Sequence, residues 1–315
     1  MKWNSKRLGW LVVLAQLPVL QALAQEEIER VQQKNEAGQI EEFGVLKADK
    51  AVRQGPYIRY RMSGPMTGVV YEAGTYEHGL KQGEWRSFSE QQATNRLVSR
   101  GTYLAGVPAG PWVYYHESGA APVRKMVFDP GRLGTSFIIA SDDTTATVQA
   151  KGFCLDGARA GLWKYYDAKG KLVQAINHSA SPAQLLYWQP ATGPAVSGAL
   201  VQANHGVLYV GGKEQLQRDL AGAFDVEFWR TSGKTADTGV VFSVDSTGRQ
   251  TGIGLTTKTV PTKYEQQVLM QLGKVPTLWL PRVSNGHASA ASYFVLINSV
   301  ITDAAKTLTV ESFGE

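Results

Sequence analysis

The chain has 315 residues, 43% hydrophobic and 19% charged, with 33 glycines and one cysteine. That length and apolar fraction suit a packed core in one large or two ordinary domains, and exclude wholesale disorder and a collagen-like fibre. Cys154 alone can close no intrachain disulfide and build no cysteine-based zinc site. Of the formal charge of +5, three units belong to Lys2, Lys6 and Arg7 in a segment expected to be removed, which leaves +2, too little to argue for nucleic acid.

Residues 1–24 begin with those three charges, continue through an apolar run from Leu8, and end in Ala22-Leu23-Ala24 before Gln25. Small residues at −3 and −1 after a short apolar core describe a secretory signal, so export to the periplasm is expected. The rival is an uncleaved inner-membrane anchor facing the periplasm, for which the stretch is short and is interrupted by Gln16, Pro18 and Gln21. Residues 25–43 are highly charged and read as a solvated helix or a frayed start.

From there to residue 178 the chain repeats. Gly74-Thr-Tyr76 leads to Gly79, Gly83 and Trp85; Gly101-Thr-Tyr103 to Gly106, Gly110 and Trp112; Gly152-Phe-Cys154 to Gly157, Gly161 and Trp163. Each copy adds an aromatic three positions on, at Phe88, Tyr115 and Tyr166, and a worn copy stands at Gly55-Pro-Tyr57 with Tyr60. The third glycines fall at 55, 83, 110 and 161, and the long last step leaves room for a decayed copy near Gly134–Phe137. Thr-Tyr suits a strand, Gly-x3-Gly supplies left-handed turn positions, and Trp-x-x-aromatic makes the return strand. Trp112 and Tyr114 should share one face, and Val113 and Tyr115 the other. Either both faces are covered or a bulge re-aims one ring, and neighbouring hairpins must stack into one sheet.

At these residues the chain resembles the MORN-type variant repeat of YwqK-like proteins, over roughly 44–178. The resemblance implies a β-rich sheet of stacked antiparallel hairpins acting as a binding or scaffolding module. Residues 179–206, with Pro182, Pro190 and Pro194, read as a linker with one short apolar patch, Leu185-Leu186-Tyr187-Trp188, docked on a neighbouring domain.

The C-terminal part has a strand at 207–210, Gly211-Gly212, a helix at 213–220, and a hairpin of 238–245 with 250–258. A helix at 262–272 that opens on Pro261 and a closing strand at 292–300 complete it. The order βαββαβ predicts a smaller α+β domain over 207–301 with an antiparallel sheet, followed by a tail at 302–315.

Gly211-Gly212, Gly239-Val-Val-Phe-Ser-Val-Asp245-x-x-Gly248, Leu278-Trp279-Leu-Pro281 with Gly286, and Tyr293-Phe-Val-Leu-Ile297 resemble the C-terminal domain of TonB in its Bacteroidota form. The resemblance implies a partner that is a protein or an extended peptide, an outer-membrane transporter in the family's own case. The peptide would be added as a strand at an edge formed by Tyr293, Phe294, Val295, Leu296, Ile297 and Asn298. Sheet edges would also admit a homodimer. A membrane-anchored energy transducer is the alternative. It needs a retained anchor and a Pro-rich arm, whereas hairpin repeats precede this domain.

No catalytic pair, cofactor motif or metal set is read from the chain, and no enzyme is expected. Cys154 takes a repeat tyrosine's place and reads as a buried hydrophobe. His78, His116, His178, His205 and His287 lack metal spacing, and Asp142-Asp143 lacks the rest of a calcium loop. The repeat rings, with Arg59, Arg86 and Lys164 near them, could stack on sugars or bases, but their fixed positions point to packing.

Overall fold

The structure is a computed structural model. It describes residues 27–64, 67–90, 96–116, 126–127, 147–190, 193–224, 228, 236–257, 260–301 and 306–314, with 63–64, 67, 126–127, 236, 298–301 and 306–314 in backbone alone. The expected signal at 1–24, the decayed repeat at 134–137 and Asp142-Asp143 lie outside the described residues.

Among the described residues, thirteen strands form one antiparallel sheet. They are β1 (Ile28–Lys34), β2 (Ile40–Leu46), β3 (Arg53–Gly64), β4 (Thr67–Glu77), β5 (Leu80–Phe88), β6 (Leu97–Leu104), β7 (Val107–Tyr115), β8 (Met126–Val127), β9 (Val148–Leu155), β10 (Ala158–Tyr166), β11 (Leu172–Asn177), β12 (Gln184–Trp188) and β13 (Val196–Ser197). They lie side by side in chain order, except that β8 pairs with β4 and β7 pairs directly with β9. Among the described residues, the second and third full copies of the repeat are therefore neighbours in the sheet.

The repeat is legible atom by atom. His78-Gly79, Ala105-Gly106 and Asp156-Gly157 have φ of 47 and 82°, 48 and 83°, and 49 and 82°. Two successive left-handed residues make the two-residue turn whose twist matches that of the flanking strands. The first glycine of each copy does a different job. A Cβ on Gly74, Gly101 or Gly152 would lie 2.2, 2.1 or 2.3 Å from a ring atom of Trp85, Trp112 or Trp163. Each indole thus lies flat on a neighbouring strand's bare backbone. Its Nε1 donates to Thr75 O, Thr102 O or Phe153 O at 3.1, 3.1 and 2.9 Å.

On this face the rings touch in sequence across the strands. Tyr57–Trp85, Trp85–Tyr103, Tyr103–Trp112, Trp112–Tyr114, Tyr114–Trp163 and Trp163–Tyr165 have centroids 5.4, 5.9, 5.3, 6.0, 6.1 and 6.4 Å apart. Tyr57 holds the tryptophan's place in the worn copy. The opposite face has its own core of Ile58, Tyr60, Val70, Phe88, Leu97 and Tyr115, with Val113 beside them. The pairing register shifts just before Phe88, Tyr115 and Tyr166, so bulges recur at the repeat period, and each face carries a core cluster of its own.

Four expectations need correction. Residues 28–34 are a strand rather than a helix or frayed start, because β1 pairs along its whole length with β2 and Arg30 ion-pairs with Glu42. The expected linker supplies β12, β13 and the helix α1 (Ala199–Ala203), with Leu185 and Val201 buried against Trp163 and Ile176. The helix expected at 262–272 starts after Thr262, whose side chain and Glu265 form a reciprocal cap, so Pro261 precedes the helix. The tail carries a strand, described below.

The second part adds β14 (Leu208–Tyr209), α2 (Gly212–Ala223), β15 (Ala236–Val244), β16 (Gln250–Leu255), α3 (Lys263–Leu272), β17 (Trp279–Leu280), β18 (Arg282–Ser284), β19 (His287–Ser289), β20 (Ala291–Ile301) and β21 (Lys306–Gly314). Its main sheet is antiparallel in the order β16-β15-β20-β21, while β14 pairs with β17 and β18 with β19. Among the described residues, no helix is long and apolar enough to cross a membrane.

Candidate functional site

The four-stranded sheet is built on alternation. Val240, Phe242 and Val244 of β15 and Tyr293, Val295 and Ile297 of β20 face one core, which Leu216 and Leu220 of α2 and Val268 and Leu272 of α3 cover. The glycines and tryptophan of the C-terminal pattern have defined duties here. A Cβ on Gly248 (φ 84°) would lie 2.6 Å from Trp279 O, so the turn after β15 closes directly on β17. Trp279 Nε1 donates to Gln250 Oε1 at 2.9 Å and ties β17 to β16. Asn285-Gly286 (φ 50 and 77°) makes another two-residue turn, between β18 and β19.

Gln174 joins this unit to the large sheet. It is 1% exposed, its Nε2 donates to Tyr209 O at 3.0 Å, and its Oε1 accepts from Gly211 N–H at 2.7 Å. Val210 and Leu280 enter the core that holds Trp112, Trp163 and Ile176. A buried amide with donor and acceptor both satisfied is a specific clamp. Composition gave no sign of it; only a polar residue in the apolar alternation of β11 hinted at a partner.

The expected partner edge, Tyr293, Phe294, Val295, Leu296, Ile297 and Asn298, is not an edge. β20 pairs with β15 from Ala236↔Ser299 to Val244↔Ala291, and on its other side with β21 from Ile301↔Lys306 to Phe294↔Gly314. Both rows of its backbone groups are engaged. The sequence reading missed β21, although Thr307-Leu-Thr-Val-Glu311 alternates as a strand should.

The outermost strands of this sheet are therefore β16 and β21. Thr256 N–H donates to Gly239 O at 2.9 Å, so by alternation the N–H groups of Ile253 and Leu255 point away from β15. Among the described residues, no strand pairs with that outer side of β16. Its six residues, Gln-Thr-Gly-Ile-Gly-Leu, include no charge and no proline. The ends of the large sheet differ: β1 presents Glu29, Arg30 and Lys34, and β13 is two residues long. Charged and very short edge strands resist pairing; β16 has neither defence.

The titratable candidates are dispersed. Cys154 is 5% exposed, and burial pushes its thiol pKa up. His116 Nε2 lies 2.9 Å from Tyr166 O, and burial lowers its pKa. His178 Nε2 lies 2.9 Å from Tyr165 Oη; burial, with Arg159 nearby, lowers its pKa to about 4. His205 Nδ1 contacts Gly206 O, His78 sits in a turn and His287 opens β19. Among the described residues, no three metal-ligating side chains gather. A cleft of about 750 Å³ beside α2, lined by Tyr115, His116, Gln149, Glu214 and Arg218, also includes Asp219, which accepts from Tyr209 Oη at 2.6 Å.

The repeat tryptophans are 0–6% exposed, and Lys81 and Arg159 lie over Trp85 and Trp163 at 4.0 and 4.9 Å, so the ladder is packed and capped. Of the cations expected beside it, Arg59 shares its face, while Arg86 and Lys164 stand on the opposite one. Comparison of the chain with family models, curated proteins and solved structures finds no match.

Proposed function

We propose that this is an exported envelope protein that binds a protein partner by adding an extended segment of it to the C-terminal sheet, with the hairpin repeats as scaffold. The reading rests on one observation above the others: β16 is an outer strand with neither charge nor proline, in a chain whose large sheet has guarded ends. The element order β14-α2-β15-β16-α3-β17 and the close-packed Gly248 and Trp279 support a TonB-like arrangement, and the pattern of residues 1–24 supports export. The guest site moves from the flank of β20, which β21 holds, to β16.

A photoreactive residue in place of Thr251, introduced in the producing cells, tests this. The expected result is an adduct with one envelope protein, lost when Gly254→Lys sets a charge on the same strand. A Cβ at 254 meets only Val241 Cγ1 at 3.5 Å, so this substitution leaves the fold intact. No adduct, or one indifferent to the lysine, counts against strand addition.

A further inference from the structure

The large sheet's face opposite the tryptophans is not uniformly covered. Towards the hairpin tips it presents Leu80, Leu104, Val107, Phe153, Leu155 and Leu162, of which Leu104, Leu155 and Phe153 are 59, 58 and 50% exposed. Pairing places them together: Leu104↔Val107 close the second hairpin, Leu155 closes the third, and Phe153 lies beside Pro111. Single exposed leucines need no explanation, but a contiguous field on one face marks a contact surface.

Directly below the field runs a row of cations. Arg86↔Arg100, Arg100↔Val113, Val113↔Lys151 and Lys151↔Lys164 are successive register partners across β5, β6, β7, β9 and β10. Two of these pairings set like charges opposite each other, which destabilises a sheet. Glu84 meets Arg86 at 2.6 Å, while Lys151 and Lys164 are exposed. Repeat packing does not require this row: the register could hold any polar residue there.

We infer that this face binds an acidic amphipathic helix of a partner protein, at a surface distinct from β16. At about 4.8 Å per strand the row spans roughly 20 Å, the length of about 13 helical residues. Such a helix laid across the strands sets its carboxylates on the row and its apolar stripe on Leu104 and Phe153. An anionic membrane suits the surface less well, because Glu77 and Asp156 stand at the hairpin tips that would enter the bilayer first.

The test uses the whole protein and a labelled 18-residue helical peptide with adjacent stripes of Glu and Leu, followed by anisotropy. A Gln-for-Glu counterpart and phosphatidylglycerol vesicles run alongside. The acidic peptide should bind at least tenfold more tightly than its counterpart and weaken steeply with salt. Lys151→Glu with Lys164→Glu, and separately Leu104→Ser with Phe153→Ser, should each cost tenfold or more. Lys164→Glu alone should raise the melting temperature slightly while weakening binding, since it turns a like pair into an opposite one. Equal binding of the two peptides, absence of binding, or indifference to the charge reversal would overturn the inference. So would binding to vesicles alone, or a dimer that Phe153→Ser splits.

Discussion

At Gly101, a missing side chain is what the fold requires. The indole of Trp112 occupies the space of the absent Cβ and donates to the next residue's carbonyl, and the same pair recurs at Gly74–Trp85 and Gly152–Trp163. Gly101→Ala should therefore cost about 3 kcal/mol or more by displacing the ring. Gly83→Ala, at φ 68° with nothing within 4 Å, should cost only about 1–2 kcal/mol of backbone strain. Denaturant midpoints of the two variants check the order, and equal losses would contradict it. His178 gives a second prediction. Its folded pKa of about 4 lies below the ordinary 6.5, so the unfolded chain binds the proton more tightly. The contribution is complete above about pH 6.5 and is lost as the pH falls towards 4, with an upper bound of about 3 kcal/mol. His116, also lowered, acts in the same direction. A His178→Gln variant should show a flatter stability profile across that window.

Among elements, what was legible in the sequence was whatever a fixed spacing imposed. The Gly and Trp positions gave the hairpins and their turns, and the alternation Val240, Phe242, Val244 gave β15. Three things were not legible. β1 is too charged to look like a strand, yet that charge suits an edge whose partner, β2, supplies the buried side chains. Between β7 and β9 the described residues supply β8, which pairs with β4 rather than entering the repeat order, and spacing alone cannot tell an insertion from a worn copy. β21 pairs long-range with β20, and its own short sequence says nothing of its register. That pairing makes a prediction. Deleting residues 306–315 strips one flank of β20, and the unguarded strand should associate with other copies. Light scattering should show oligomers for the truncated chain and a lower mass for the intact one. A truncated chain that scatters like the intact one would place the protective role elsewhere.

For the whole molecule, the repeat sheet and the C-terminal unit share one packed core. Gln174 and the shared cluster of Trp163, Ile176, Val210 and Leu280 leave no solvated boundary between repeats and C-terminal unit among the described residues. Calorimetry should show a single transition, and Gln174→Ala should cost about 2–3 kcal/mol by leaving Tyr209 O and Gly211 N–H unsatisfied. Two resolved transitions in the unmodified protein would contradict the shared core. A scaffold packed against the small sheet fits the proposed capture of a partner strand at β16.

The most direct measurement is residue-resolved amide exchange of the intact chain, with and without the partner segment captured at Thr251. Strand addition predicts that the outward amides of Ile253 and Leu255 slow at least tenfold, while those of β21 and β1 keep their rates. Protection on β21 or β1 instead, or none on β16, would contradict the account.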